Sequence, residues 1–322
     1  MTIKGTLIIL IAAVMLLAFT VAGYAQDKAT TLYMAGCKSI QDKEFTKALG
    51  LFDQALKENK TFVKAYVGRG MAQFMLNEHK KALADLNYAI ERNPQNVTAL
   101  FWRGSTYLML GESKNAIPDY TAVLKQQPEN AYSYLMRSIC QFRLDKFEEA
   151  IADSSKAISY NPRKAEPFIV RGLCYYKQKK FDSAVRDLKK GVALEPDTAY
   201  YQLLAYSAQA MNGDKKTDDL AAFYKKMDPA RGKGEIAYDA IAMMLGKKTP
   251  EEVLKAAEKF EPARLKATMV QQAQFFVSIY FTISGNNEKA AKYLDLAEKG
   301  ENKLFVMAAI VKMSFYDFKG EL

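Results

Sequence analysis

Small and apolar residues recur along this chain with a step of 34. Alanine stands at Ala48, Ala82, Ala116, Ala150 and Ala184. The series Gly36, Gly70, Gly104, Ser138 and Gly172 keeps the same step, as does Ala55, Ala89, Val123, Ala157 and Gly191. Four residues before the small one stands a large residue: Tyr66, Leu100, Tyr134 or Phe168. Pro94, Pro128, Pro162 and Pro196 follow the same period. The pattern predicts one pair of antiparallel helices per unit, with small residues where the two approach most closely. Asn77, Gly111 and Asp145 fall in the turn between the helices, where left-handed backbone is needed. The proline closes the second helix and starts the link to the next unit. A single hairpin cannot bury its own apolar face, so the units must stack.

Period, alanine signature and closing proline together resemble the tetratricopeptide repeat family. The clear units are 29–62, 63–96, 97–130, 131–164 and 165–198. The resemblance implies an all-α fold, a right-handed α-solenoid (superhelix) of helix-turn-helix repeats that displays a groove to other proteins. A second regularity is carried by charge. Arg69, Arg103, Arg137 and Arg171 stand just before the small residue of the first helix, and Asp85, Asp119, Asp153 and Asp187 follow sixteen residues later. The first unit has Ala35 and Leu51 at these places and lacks both charges together. A structural Arg–Asp ladder pairing the helices is expected, because bidentate pairs suit partly buried helix contacts.

Beyond residue 198 the pattern blurs. Residues 199–230 read as a degenerate repeat, with a first helix over 200–211 and a turn at Asn212-Gly213-Asp214. The flexible basic stretch 231–234 marks a boundary, and 235–322 reads as a C-terminal helical segment with a repeat-like hairpin. Glu235 to Leu245 is a helical apolar run, and Thr249-Pro250-Glu251-Glu252 has the form of a capped helix start. A strongly apolar helix from Glu261-Pro262 to Ser284 leads through Gly285-Asn286-Asn287 to a second helix carrying Ala290, Leu294 and Ala297. Lys303 to Phe318 closes the chain as an apolar helix. The tail loosely resembles that of bacterial envelope adaptor lipoproteins built from tetratricopeptide repeats, in which the repeats hold proteases or cell-wall hydrolases. The lipid-attachment cysteine of that family is missing here.

Residues 1–25 hold one positive charge, Lys4, then an uncharged apolar stretch and small residues at Gly23 and Ala25. They read as a signal peptide cleaved near Ala25, or, if retained, as an N-terminal membrane anchor. Both readings put the rest of the chain outside the cytoplasm: periplasmic or extracellular after cleavage, or anchored to the inner membrane. An oxidising compartment makes cysteine pairing worth asking about. Cys140 and Cys174 are one repeat apart, which corresponds to roughly 10 Å between equivalent helices, too far for a disulfide. They and Cys37 are expected as small buried residues.

Composition narrows the chemistry. The 322 residues include one histidine and three cysteines, too few for a zinc or disulfide scaffold. His79 falls where other units carry Phe45, Phe147 and Phe181, an aromatic packing slot. Phosphate-cradling glycine loops and the nucleophile-elbow motif do not occur. No catalytic residue, metal or cofactor is therefore expected, and the chain reads as a non-enzyme. Its formal charge of +10 is spread among interleaved acids, as around Lys255, Glu258 and Lys259. Nucleic acid, which calls for a clustered basic stripe with stacking aromatics, is not an expected partner.

The first helices carry the candidate binding residues. The positions that face the inner groove in the resembled family hold Tyr33, Met34, Val67, Met71, Phe101, Trp102, Leu135, Met136, Ile139, Ile169, Val170 and Leu173. This lining is apolar and rich in adaptable methionine. Lys64 is the nearest candidate for a carboxylate-clamp residue, while the arginines belong to the ladder, so a clamp is not expected. Two occupants fit: an apolar peptide or helix of another envelope protein, or the chain's own Leu304, Phe305, Ile310, Val311, Phe315 and Phe318. A second copy of the chain is the remaining candidate.

Overall fold

A computed structural model describes residues 27–227, 236–261 and 263–299. The signal or anchor at 1–25, the basic boundary at 231–234, Pro262 and the closing helix expected over 303–318 lie outside the described residues. The described residues form helices and turns with no strand.

Two compact units divide between Gln126 and Gln127. This division falls between the third and fourth repeats, within the array and not at its end. In the first unit, α1 (27–41) and α2 (Phe45–Glu58) form a hairpin. It is followed by α3 (Val63–Met75) with α4 (His79–Arg92), and α5 (Val97–Met109) with α6 (Ser113–Gln126). In the second unit, α7 (Ala131–Arg143) pairs with α8 (Phe147–Tyr160), and α9 (Glu166–Lys177) with α10 (Phe181–Leu194). Then come α11 (Ala199–Met211), α12 (Asp218–Lys226), α13 (Ile236–Met244), α14 (Pro250–Ala257), α15 (Ala263–Ile283) and α16 (Asn287–Lys299). Each second helix packs on the first helix before it and on the one after it, within each unit.

The close approach inside each hairpin explains the small-residue series. A Cβ added at Gly36 would lie 2.6 Å from Phe52, at Gly70 2.9 Å from Leu86, at Gly104 3.1 Å from Tyr120 and at Gly172 2.8 Å from Leu188. Each partner stands sixteen residues later and is fully buried. The fourth repeat solves the same packing differently. Ser138 has a side chain of its own, and its counterpart sixteen residues on is the fully buried Ser154. A large residue thus accompanies glycine, and a small one accompanies serine, which keeps the filled volume near native packing density.

Turns and caps follow from local chemistry. The left-handed turn residue is Lys43, Asn77, Gly111, Asp145, Lys179 or Gly213 in successive hairpins, at φ from 57° to 93°. Four of these carry a side chain, which the left-handed region penalises. At the far end, Asn93, Asn161 and Glu195 each precede a proline and leave the helix at φ between −139° and −133°, outside the α region that a following proline disfavours. Asn96 and Asn130 cap α5 and α7 by accepting from the backbone N–H of Ala99 and Ser133.

The C-terminal elements match their expected starts. Thr249 and Glu252 close a reciprocal capping box at α14. Phe276 of α15 is fully buried and meets Tyr200 of α11 edge-on at 5.7 Å. In α16, Ala290 and Ala297 are buried, while Leu294 is 37% exposed.

Candidate protein-docking face

The ladder arginines sit on the first helices, with the aspartates opposite on the second. Arg69 donates from Nε and Nη2 to the two carboxylate oxygens of Asp85, each at 2.7 Å. Arg103 grips Asp119 in the same way at 2.9 and 2.7 Å, Arg137 grips Asp153 at 2.7 and 2.8 Å, and Arg171 grips Asp187 at 2.7 and 2.9 Å. The four aspartates are buried. Their hydrogen bonds, with burial opposing, hold all four guanidinium groups above the usual arginine range.

A further set of partners was not read from the pattern. Arg69 Nη1 donates to Asp53 at 2.8 Å, Arg103 Nη1 to Asn87 at 3.0 Å and Arg171 Nη1 to Ser155 at 2.9 Å. These acceptors stand sixteen residues before the arginine, on the second helix of the preceding hairpin. Each of these three guanidinium groups therefore ties its own hairpin together and stitches it to its neighbour. The signal lay in the oxygen-bearing series Asp53, Asn87, Thr121 and Ser155, again with a step of 34.

The structure corrects the groove on one point, its exposure. Val67, Met71, Phe101, Trp102, Leu135, Met136, Ile139, Ile169, Val170 and Leu173 are all buried, at 0–5% exposure. Tyr33 is half-buried, and Met34 alone of the twelve is well exposed, at 58%. The physical reason is packing between and within hairpins. Trp102 meets Phe74 of the preceding first helix edge-on at 5.1 Å, and Phe101 meets Tyr120 at 5.8 Å. Ile169 lies so close to α10 that a Cβ at Gly191 would come within 2.9 Å of its Cγ1. Tyr33 packs between Phe52 and Phe62.

Remaining chemistry-bearing residues occupy packing positions. His79 is buried, its ring 5.3 Å from that of Phe74. Cys37, Cys140 and Cys174 form no disulfide, and Cys140 and Cys174 are buried. Burial pushes the Cys174 thiol up to about 12 and raises that of Cys37. Among the described residues no group of three or more His, Cys, Asp or Glu side chains is placed to hold a metal ion. No described helix is long and apolar enough to cross a membrane.

Comparison with known proteins bears on the fold. Family models described as tetratricopeptide repeat match residues 41–96, 76–131, 103–162 and 165–198. No curated protein sequence matches the chain. Similar solved structures include YrrB, described as a TPR protein with an unusual peptide-binding site, at 20% identity and a TM-score of 0.48, covering 55% of this chain and 90% of that one. MamA from Desulfovibrio magneticus RS-1 aligns at 19% identity and a TM-score of 0.49, over 53% of this chain and 96% of that one. A thermophilic TPR protein of Thermus thermophilus aligns at 19% identity and a TM-score of 0.45, over 56% and 98%. The family matches coincide with the hairpins α2 to α10, so this chain belongs to the tetratricopeptide repeat family.

Proposed function

We propose that this protein is a non-catalytic interaction scaffold of the bacterial cell envelope, which holds a partner peptide or helix along the face formed by its first helices. One observation carries the reading: successive hairpins belong to a repeat family whose fold serves protein binding, and Met34 on the first helix of the array is 58% exposed. Within each unit the ladder ties successive hairpins to one another. Residues 1–25 supply the export signal, or the anchor if they are retained. The test uses Met34, the exposed member of the face. A photo-crosslinking residue at Met34 in the full chain, activated in intact cells, should capture a reproducible envelope protein. Capture of nothing, or of cytoplasmic proteins alone, overturns the scaffold reading. Mass spectrometry of the mature protein should find Gln26 at the N-terminus. An intact N-terminus in the membrane fraction selects the anchored form instead.

A second reading rests on the apolar composition of residues 304–318. Here the chain is an anchored assembly factor whose face is filled by its own apolar segment Leu304 to Phe318. Deleting 303–322 should then raise the fluorescence of an apolar dye several-fold in a protein that keeps its helix content. An unchanged signal removes this reading and leaves the first.

A further inference from the structure

The cleft that holds Arg69, Asp53 and Asp85 in the first unit, a space of about 380 Å³, is lined by other residues where the ladder stops in the second unit. One step of 34 beyond Arg171 stands Ala205, and one step beyond Ser155 stands Lys189. The second helix changes as well, since α12 has 9 residues where α10 has 14. Its buried Leu220 and Phe223 keep the spacing of the buried Ala184 and Asp187 in α10. Neither buried residue carries a carboxylate, while Ala205 takes the arginine's place and Lys189 the acceptor's.

Here, with guanidinium and carboxylate both replaced, the surface pocket between α10, α11 and α12 has a volume of about 430 Å³. Val192, Ala205, Tyr206, Leu220 and Phe223 form its apolar wall. Lys189, Lys216 and Lys226 stand in its lining against Asp197 and Asp219. The two acids are held loosely, Asp219 at 3.4 Å from Lys189 and Asp197 at 3.6 Å from Lys226, with side chains about half exposed or more. Pairs of this kind contribute little and exchange partners at small cost. The lining thus joins an apolar wall to a surplus of ammonium groups, on a chain of net charge +10.

We propose that this pocket binds a peptide segment in which an aromatic or branched apolar side chain stands next to a carboxylate. The apolar side chain lies against Tyr206 and Phe223, where the cleft carries no buried ion pair. The carboxylate meets Lys216 and Lys189. This site uses the ladder positions and not the apolar face of the first helices, so either can fail without the other.

The experiment titrates the full chain into an end-blocked, fluorescein-labelled peptide of sequence Ala-Glu-Phe-Glu-Ala and follows anisotropy at low salt. Ala205→Met fills the pocket, and Lys216→Glu reverses the charge at an exposed position. Thermal melts by circular dichroism show whether each variant folds as the parent does. Saturable binding is expected, weakened about tenfold or more by each variant, and lost when the peptide's phenylalanine becomes alanine. Absence of saturable binding, or binding that folded Lys216→Glu and Ala205→Met both retain, overturns the proposal. Should Ala205→Met fail to fold, Lys216→Glu decides alone.

Discussion

Removing the carboxylate of Asp119 would leave the Arg103 guanidinium without two of the hydrogen bonds that hold it in a largely dry position. Breaking one side of such a pair costs more than the pair itself contributes, because the survivor stays desolvated. Asp119→Ala is therefore expected to destabilise the protein by about 2–4 kcal/mol in urea denaturation. Asp53→Ala, at a carboxylate that is 47% exposed, should cost no more than about 1 kcal/mol. Equal costs for the two would show that burial does not set the worth of these pairs. Lys179 is held at φ 58°, a conformation that glycine adopts without strain, so Lys179→Gly should stabilise by about 0.5–1 kcal/mol. At Cys174 the sign follows from burial: the fold disfavours the thiolate, so the thiol stays protonated to about pH 12. Between the unfolded thiol's pKa and that value the unfolded chain has lost the proton and the folded chain has not, so stability falls as pH rises. Below that window the group has no such effect. At pH 8 the native thiol should alkylate roughly a hundredfold or more slowly than in urea. A native rate near the unfolded one would contradict its burial.

At the scale of the helix pair, the contact between positions sixteen apart is a matter of volume. Gly172 faces Leu188, whereas Ser138 is matched with Ser154. Ser154→Leu alone should overfill the fourth hairpin and cost about 1–3 kcal/mol. Ser138→Gly in the same chain opens the space that leucine takes up in the second and fifth repeats. The double variant should recover at least half of the loss, a coupling that a double-mutant cycle reads directly. Strict additivity would mean that the two side chains do not meet. The Arg–Asp pairing was legible from spacing, because both charges appear and vanish together between units. The stitch to the preceding hairpin was less visible, because its acceptor changes chemically from Asp53 to Asn87 to Ser155. Any oxygen serves there, so no single residue type marks the position.

Across the whole molecule, helices pack chiefly on their neighbours in sequence, and stability is the sum of local interfaces. The α12 hairpin has no ladder arginine and a shortened second helix. Its amides should exchange with solvent faster than those of α4 or α8 in native-state hydrogen exchange. Equal protection would mean that the ladder does not govern local opening. The burial of the first-helix face belongs to this scale too. Met71 or Ile169 on a helical wheel has the same aspect whether it lines an open groove or packs against another hairpin. Only the positions of neighbouring helices distinguish the two.

The repeat length, hairpin boundaries, turn positions and Arg–Asp pairing were determined by the sequence alone. Each rests on residue size, charge or backbone preference repeated at a fixed step, and local physics acts the same way in every copy. Tertiary structure decided the rest: the burial of the expected lining, the third hydrogen bond of Arg69, Arg103 and Arg171, and the pocket where Ala205 and Phe223 interrupt the ladder. These depend on distances between elements, which a linear pattern does not contain. A substitution reads as a missing charge in the sequence, and only the positions of three helices show the apolar wall that it borders.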